Sequence, residues 1–123
     1  MRNVGILLSG HLKGLEVSIN IINVYGPFNV RKKKMCDRLR ASGLLQTPNL
    51  ILAGDFNFTL SLSEVWGSGR SVDPLAEYFT RFFYETHLVD ITPAILVPTW
   101  SNGRCGGGRI TKRLNRFLMS DSL

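Results

Sequence analysis

Short apolar runs separated by turn-forming residues predict β-strands along the chain. They lie at Val4–Leu8, Leu15–Tyr25, Leu50–Ala53 and Leu88–Ile91. Within the second run, Ile19–Val24 is nearly continuous and rich in β-branched side chains. That composition is typical of a strand covered on both faces.

Two segments have the periodicity of amphipathic helices. The first is Arg31–Leu45, for which Asn29 is a suitable N-cap. In the second, Asp73 caps the helix and Pro74 takes the first helical position. Apolar side chains then recur at helical spacing. They are Leu75, Phe79, Phe82 and Phe83.

The remaining segments complete an α/β pattern. Ser61–Val72 is polar and contains glycine, so we expect a loop there. Thr99-Trp100 and Ile110–Met119 predict a terminal hairpin, joined by the glycine-bearing loop Ser101–Arg109. Strands that alternate with helices and end in a hairpin indicate one α/β domain over residues 1–123, with a mixed, mostly antiparallel sheet.

Composition and charge narrow the choice of partners. Hydrophobic residues make up 44% of the chain and charged residues 20%, which is typical of a globular protein rather than a disordered one. The formal net charge of +6 favours anionic partners. No apolar stretch approaches the roughly 20 residues that span a bilayer, so we expect no membrane partner. Cys36 and Cys105 match no metal-ligand spacing and predict two reduced thiols, although sequence alone also allows one bridge between them.

The clearest chemical signal follows the strand at Leu50–Ala53. The strand leads into Gly54, Asp55 and Asn57 at a sheet edge where α/β folds commonly bind ligands. Phosphodiester hydrolysis needs a carboxylate to hold the attacking water and donors for the charge on phosphate oxygens. Asp55 offers the carboxylate, the Asn57 amide offers a donor, and Gly54 permits close backbone approach. The alternative is a plain turn whose polar side chains satisfy local backbone groups.

Two more segments add to this signal. Tyr25 ends the second predicted strand, where its phenol can donate to a phosphate or simply mark the boundary of the core. The terminal hairpin carries Thr99, Trp100, Asn102 and Asn115. Its alternative interpretation is a hairpin with a glycine-rich tip and no role in binding.

Five short motifs occur in the order found in the endonuclease/exonuclease/phosphatase family. They are Asn-Val-Tyr-Gly-Pro, Gly-Asp-Phe-Asn, Leu-Val-Asp-Ile, Thr-Trp-Ser-Asn and Arg-Leu-Asn-Arg-Phe-Leu, between Asn23 and Ser120. More narrowly, the chain resembles the abasic-endonuclease-like domain of plant LINE-type retroelements. The resemblance covers nearly the whole chain but only the C-terminal portion of the family's domain.

The resemblance implies a fold and a chemistry. The fold is a partial four-layer α/β/β/α sandwich with the site at one end of two packed sheets. Tyr25 would contact the scissile phosphate, Asp55 would orient or activate the nucleophilic water, and Asn57 would stabilise the phosphate. The expected cofactor is magnesium, and the expected partner is DNA or another phosphodiester. The residues expected to bind substrate are Thr99, Trp100, Asn102 and Asn115.

The chain also departs from the family pattern. No Asn-then-Glu pattern suited to the family's metal-binding glutamate occurs in the first part of the chain, so no metal ligand is assigned. The sequence stops at Ser120–Leu123, before a Ser-Asp-His segment that would supply a catalytic histidine. Asn115 replaces the aspartate that orients this histidine, and a neutral amide does not stabilise an imidazolium. We therefore expect an incomplete site with severely impaired hydrolysis.

Other interpretations remain open. The chain could be a non-catalytic retroelement remnant that binds nucleic acid weakly, or a phosphoesterase for phosphorylated lipids or small molecules. Half of a sandwich should leave the inner face of its sheet uncovered, which predicts self-association through that face. His87 is expected to be structural at a helix C-terminus. By the resemblance, Glu64 and Trp66 belong to a surface that meets DNA.

Overall fold

The computed structural model describes residues 5–11, 13–14, 17–27 and 31–123. Val4, Leu15 and Asn29, which the sequence assigned to two strands and a helix cap, lie outside these ranges. The helices are α1 (Lys32–Ala41) and α2 (Ala76–Glu85). The strands are β1 (Gly5–His11), β2 (Ser18–Tyr25), β3 (Leu50–Asp55), β4 (Val65–Gly67), β5 (Leu88–Asp90), β6 (Trp100–Ser101), β7 (Ile110–Lys112) and β8 (Asn115–Ser120). None of the described helices is long and apolar enough to cross a lipid bilayer.

Five strands form the main sheet, in the order β1-β2-β3-β8-β5. The β2–β3 pair is parallel, whereas the other three neighbouring pairs are antiparallel. The prediction of a mixed, mostly antiparallel sheet is therefore confirmed. The parallel pair requires a crossover connection, and α1 lies within it.

Both helices pack on the same face of this sheet. Side chains that alternate along β2, β3 and β8 point toward them, including Ile22, Leu52 and Leu118, none of which has measurable exposure. Phe58 and Phe79 stack with ring centroids 3.8 Å apart within the core. The helical spacing of the aromatic residues in α2 thus identified the face that is buried.

No described helix packs on the opposite face of the main sheet, which we call the open face, although Ile19 on this face is only 6% exposed. The side chains of the open face lie in register across the strands, and six of them are Leu8, Ile21, Ile51, Val89, Phe117 and Met119. Ile21 is 38% exposed and Phe117 60% exposed. The prediction that β2 is covered on both faces is wrong for the described residues, because helices lie on one face only. The expectation of an uncovered apolar face is confirmed only in part, since Leu8 and Phe117 are mostly exposed whereas Ile19 is buried.

Three short strands form a second sheet, in the order β4-β7-β6. The predicted strand at 110–119 is divided by Arg113 and Leu114, so that β7 pairs in the small sheet and β8 in the main one. The predicted loop at 61–72 contains a 3₁₀ turn at Leu62–Glu64 and then β4. The sequence did not indicate this strand, because β4 has only three residues and lies in a mostly polar segment.

The helices are shorter than their sequence patterns. α1 ends at Ala41, and a separate 3₁₀ turn follows after Gly43, which has a positive φ of 76°. Asp73 does accept a hydrogen bond from the Leu75 N–H at 2.9 Å, but this bond lies in the turn before α2. Pro74 is therefore also outside the helix.

Both cysteines are free thiols, as predicted. Cys36 is buried on α1, and burial together with the charge of Asp37, partly offset by Arg40, raises its pKa from 9.0 to about 12. Cys105 is exposed in the hairpin loop. The raised pKa leaves Cys36 with less thiolate, which is the nucleophilic form.

We expect a disulfide reagent to label one thiol quickly and the other only when the protein unfolds. Mass spectrometry of the labelled peptides should assign the fast reaction to Cys105 and the slow one to Cys36. The Cys105→Ser variant should lack the fast phase. Equal labelling of both thiols in folded protein would contradict the packing of α1.

Candidate active site

Three polar side chains form a row at one end of the open face. Tyr25 at the end of β2 is in register with Asp55 at the end of β3, and Asp55 is in register with Asn115 at the start of β8. Register partners point to the same side of a sheet, with their Cβ atoms about 5 Å apart. Tyr25 is 71% exposed, so its hydroxyl is available to a ligand. The structure thus brings together a phenol, a carboxylate and an amide that lie far apart in the sequence.

The backbone holds Asp55 in a fixed position. The Gly26 N–H donates to the Asp55 carbonyl at 2.7 Å, which extends the β2–β3 pairing past the strand ends. The Asn57 N–H donates to Asp55 Oδ1 at 2.9 Å. The other carboxylate oxygen has no hydrogen-bond partner among the described residues. Asp55 therefore retains acceptor capacity toward solvent or a ligand.

Asn57 is buried beneath this row. It has a positive φ of 55°, a conformation that asparagine tolerates better than most residues. Its Nδ2 donates to the Gly26 carbonyl, while its buried Oδ1 has no partner among the described residues. The side chain therefore links the ends of β2 and β3. Its predicted contact with a phosphate stays a prediction.

The hairpin residues support the start of β8. Thr99 Oγ1 accepts hydrogen bonds from the Leu114 and Asn115 N–H groups, at 2.9 and 3.0 Å. Asn102 Oδ1 accepts from the Arg104 and Ile110 N–H groups, both at 3.1 Å. These two predicted substrate-binding side chains thus fix the loop itself. Their contact with a substrate stays a prediction.

Trp100 belongs to the exposed side of the same hairpin. The Nζ atom of Lys112 lies 5.7 Å from the centre of its indole ring, within the range of a cation–π contact. Arg104 and Arg109 are also exposed on the hairpin loop. The small sheet next to the row therefore carries an aromatic ring and three cations, which suits a polyanion.

A buried cluster of four charged residues lies behind the row, and we call it the ion cluster. It consists of Glu64, Asp90, Arg113 and Arg116. Each arginine contacts both carboxylates, at distances from 2.6 to 3.1 Å. The side chain of Arg116 has no exposure and those of Arg113 and Glu64 have 5%. The formal charges cancel, which is the condition under which charges are tolerated in a core.

The ion cluster joins the segments that carry the row. Arg116 donates to the Phe58 carbonyl, and Arg113 donates to the Ile91 carbonyl at 3.3 Å. The Phe56 N–H donates to the Leu114 carbonyl at 3.0 Å. The segment after β3, the end of β5 and the segment before β8 are thereby held together.

Electrostatics keeps Glu64 ionised in this cluster. Burial alone would raise the pKa of Glu64, but hydrogen bonds from Arg116 and from the Leu60 N–H outweigh that effect and hold the pKa below its usual 4.5. The interpretation of Glu64 as part of a DNA-facing surface is wrong, because only 4% of the residue is exposed. Trp66 is partly buried on β4.

The sequence did contain a sign of the ion cluster. Arg116 alternates with Phe117 and Leu118 along β8, and its position places it on the same face as Leu118. An arginine at a position facing the core requires a buried carboxylate partner. Asp90 occupies the corresponding position on β5, directly opposite Leu118.

Comparisons with known proteins agree on the fold. No protein-family model and no curated protein sequence matches the chain. Among solved structures, the endonuclease domain of TRAS1, a telomere-specific non-LTR retrotransposon, matches with a TM-score of 0.73 and 16% identity. The 3′ phosphatase NExo from Neisseria, bound to a product DNA hairpin, matches with a TM-score of 0.61 and 16% identity.

The matches cover 96% and 94% of this chain. The chain has part of the endonuclease/exonuclease/phosphatase fold. It spans 51% and 52% of the two matched chains, about half their length. The fold class predicted from the ordered motifs is therefore confirmed.

Neither histidine lies near the row. His11 is in register with Ser18, at the opposite end of β2 from Tyr25. His87 Nδ1 lies 3.4 Å from Asp121 Oδ2, beyond the opposite end of β8 from Asn115. His87 lies near the C-terminal end of α2, as predicted, although two residues after its last residue Glu85 and with a positive φ of 60°. The row therefore has no imidazole to protonate a leaving group.

The described residues supply only part of a site for a divalent cation. In the described ranges no three His, Cys, Asp or Glu side chains come together as a metal site would require. Asp55 is the single carboxylate of the row, and its neighbours offer a phenol and an amide. Magnesium favours nearly octahedral oxygen coordination and is commonly held by one or two carboxylates with water and substrate phosphates. One carboxylate supplies at most a part of that set.

Proposed function

We propose that this chain is a phosphate-facing portion of a nucleic-acid phosphodiesterase and that its own hydrolysis is severely impaired. The observation that carries the proposal is the row of Tyr25, Asp55 and Asn115 beside a cationic hairpin. The row offers an acceptor for an attacking water and donors for phosphate oxygens. The fold of the matched nuclease and phosphatase structures supports this assignment.

The side chains of the row suit one half of a hydrolytic reaction. Asp55 can hold and polarise a water molecule, because one of its oxygens is free of partners among the described residues. The Tyr25 hydroxyl and the Asn115 amide can donate to a phosphate that approaches across the row. Among the described residues no histidine lies near the row to protonate the leaving oxygen, and each acid or base group typically contributes about 10²–10⁴-fold to the rate. The rate on ordinary phosphodiesters should be low.

Nucleic acid is a better substrate class for this surface than a phosphorylated lipid or small molecule. Arg104, Arg109 and Lys112 spread positive charge along the hairpin beyond the row. A polymer with repeated phosphates can contact all of these cations at once, whereas a small ester can contact few of them. Weak binding of nucleic acid without cleavage is the second candidate, and it is favoured by the same cations.

We expect magnesium to act only when donors from outside the described residues complete its coordination. Asp55 would then contribute one carboxylate. A bound cation would supply charge neutralisation to the phosphate and a lower pKa for the bound water. The following experiment is therefore also run with EDTA, which removes magnesium.

A diester with an activated leaving group should separate the two candidate functions. Bis(p-nitrophenyl) phosphate releases a leaving group that needs no protonation, so a site without a general acid loses less on this substrate. We expect slow, measurable release of nitrophenolate, and the Asp55→Ala variant should reduce the rate by about 100-fold or to the background. Nicking of supercoiled plasmid is measured in parallel, with magnesium and with EDTA.

The matched control is Asp121→Ala, which removes a carboxylate at the opposite end of the sheet. It should retain the wild-type rate. If wild type and Asp55→Ala release nitrophenolate equally, the row has no hydrolytic role and the non-catalytic candidate is preferred.

A further inference from the structure

The turn after β4 and the hairpin loop border a cavity that is separate from the row, and we call it the hairpin cavity. Its volume is about 410 Å³, within the range of roughly 300–1,000 Å³ that is usual for small-ligand sites. Trp66 is in register with Thr111 and Trp100 with Lys112, so the two indole rings belong to opposite faces of the small sheet. The residues that line the cavity include Trp66, Ser68, Gly106, Gly107, Arg109 and Thr111.

Close backbone contact holds the two walls of the hairpin cavity together. Gly67 has a φ of +117°, and a Cβ atom there would lie 2.2 Å from the Arg109 carbonyl oxygen, so only glycine permits this approach. The Ser68 hydroxyl donates to the Gly107 carbonyl, which joins the turn after β4 to the hairpin loop. The Arg109 N–H donates to the Gly106 carbonyl at 3.1 Å within that loop. The cavity is therefore formed before a ligand arrives, which favours binding.

The lining of the hairpin cavity suits a flat aromatic ring with polar edges. The partly buried indole of Trp66 offers a face for stacking, and the glycine backbone of the loop offers amide and carbonyl groups without side chains. Arg109 is exposed and adds a cation. No described residue that lines the cavity is acidic, which disfavours a cationic ligand. A nucleobase attached to a phosphate combines an aromatic face, polar edges and a negative charge.

We propose that the hairpin cavity binds an unpaired nucleobase, so that this surface recognises a single-stranded segment of nucleic acid rather than a continuous duplex. The inference rests on the proposed function, in which the row faces the phosphates of the same strand. In a duplex each base is stacked between its neighbours, and only the base edges are accessible from the grooves. The Trp66 indole can stack on a base only after that base has left the duplex, which costs free energy. A base in a single strand is already accessible.

One strand of nucleic acid can occupy both the hairpin cavity and the row. Thr111 lines the cavity, and Asn115 of the row follows four residues later in the chain. Since each residue extends the chain by at most about 3.6 Å, the Cα atoms of these two residues are no more than about 14 Å apart. Nucleotides of a stacked strand rise by about 3.4 Å each, so a few of them span this distance. Lys112 lies between the two residues in the chain and offers a cation to the connecting phosphates.

Fluorescence anisotropy with labelled oligonucleotides tests the proposal at one fixed salt concentration, because phosphate contacts make affinity depend on salt. The probes are an oligothymidylate, a strand of equal length and charge with abasic tetrahydrofuran units, and a duplex. Wild type should bind the oligothymidylate roughly 10-fold more tightly than the abasic strand, the usual effect of stacking one base on an aromatic side chain. Trp66→Ala and Gly107→Leu should each remove this preference and leave the affinity for the duplex unchanged. A Cβ atom at Gly107 meets nothing within 4 Å, so leucine can fill the cavity without a clash at its Cβ atom.

The matched control is Gly108→Leu, in the same loop but outside the cavity lining, where a Cβ atom would meet only the Arg104 side chain, at 3.6 Å. It should bind all three probes like wild type. Circular dichroism verifies that each variant is folded, and Gly107→Leu carries the test alone should Trp66→Ala fail to fold. Equal affinity of wild type for the thymidylate and abasic strands, or a preference that survives Gly107→Leu, would overturn the proposal. Neither result decides whether Asp55 supports hydrolysis, which the release of nitrophenolate measures separately.

Discussion

Replacing Glu64 with glutamine is expected to lower the free energy of unfolding by roughly 3–5 kcal/mol, the usual cost of breaking a buried ion pair from one side. Glu64 Oε2 lies 2.6 Å from Arg113 and Glu64 Oε1 lies 2.8 Å from Arg116. The substitution leaves two buried guanidinium groups with one carboxylate between them. A domain of this size is commonly stable by about 5–15 kcal/mol, so the loss is a large share of the total. Urea unfolding of both proteins gives the difference.

The matched control is Glu77→Gln, an exposed position in the first turn of α2. It should change the free energy of unfolding by less than about 1 kcal/mol, since its carboxylate contributes only the weak effect of a helix terminus. A double-mutant cycle with Arg116→Met isolates the coupling between the two side chains. If Glu64→Gln and Glu77→Gln destabilise the protein equally, the ion cluster does not hold the domain together.

The pH dependence of stability gives a second test of the role of Glu64. The pKa of Glu64 is lower in the folded protein than its usual 4.5, because hydrogen bonds from Arg116 and the Leu60 N–H outweigh the opposing effect of burial. Its contribution to stability is therefore fully present above about pH 4.5 and is lost as the pH falls through the folded-state value. Wild type should lose more stability than Glu64→Gln in that acidic range.

The ion cluster also explains which part of the site the sequence could not predict. In the sequence, Arg113 and Arg116 belong to the motif Arg-Leu-Asn-Arg-Phe-Leu and Asp90 to the motif Leu-Val-Asp-Ile. Their mutual contacts connect residues 64, 90, 113 and 116, and a sequence pattern carries no information on such distant pairings. A charged residue at a strand position that faces the core indicates that an oppositely charged partner is buried beside it. It does not identify that partner.

More of the fold than of the site could be predicted from the sequence, because the local patterns agreed with the strand pairing of the structure. The apolar run of β3 and the turn residues after it set both the strand and its functional end. Asp55 is aligned with Tyr25 and with Asn115 because β3 pairs with both β2 and β8. The sequence pattern alone does not show this pairing, and only the family resemblance implied that the three residues lie together. The short strand β4 and the division between β7 and β8 were missed, because three-residue strands have too few positions to display alternation.

Asn57 and Thr99 show a related limit. Sequence can identify a polar side chain near a site, but it cannot decide whether that side chain faces a ligand or the backbone. Thr99 accepts two backbone N–H groups, and Asn57 donates to the Gly26 carbonyl. Thr99 therefore supports Asn115, whose N–H it accepts, and Asn57 supports Asp55, to whose Oδ1 its own N–H donates.

Replacing Gly54 with alanine is expected to destabilise the domain by about 3 kcal/mol or more and to abolish any hydrolysis that depends on Asp55. Gly54 has a φ of +138°, which side chains rarely adopt. A Cβ atom there would lie 2.0 Å from the Val24 carbonyl oxygen and 2.9 Å from Asn23 Oδ1. The nearest atom is backbone in the neighbouring strand, so relief requires β2 and β3 to separate at the point where Tyr25 meets Asp55. Thermal and urea unfolding measure the loss.

Gly10→Ala supplies the matched control within the same sheet. Gly10 lies on β1, has no positive φ, and a Cβ atom there meets nothing within 4 Å. The added methyl group should change stability by less than about 0.5 kcal/mol, as surface substitutions usually do. A Gly54→Ala protein as stable as Gly10→Ala would mean that β2 and β3 do not approach as closely as their register requires. The row of Tyr25, Asp55 and Asn115 would then have no fixed geometry with which to face a phosphate.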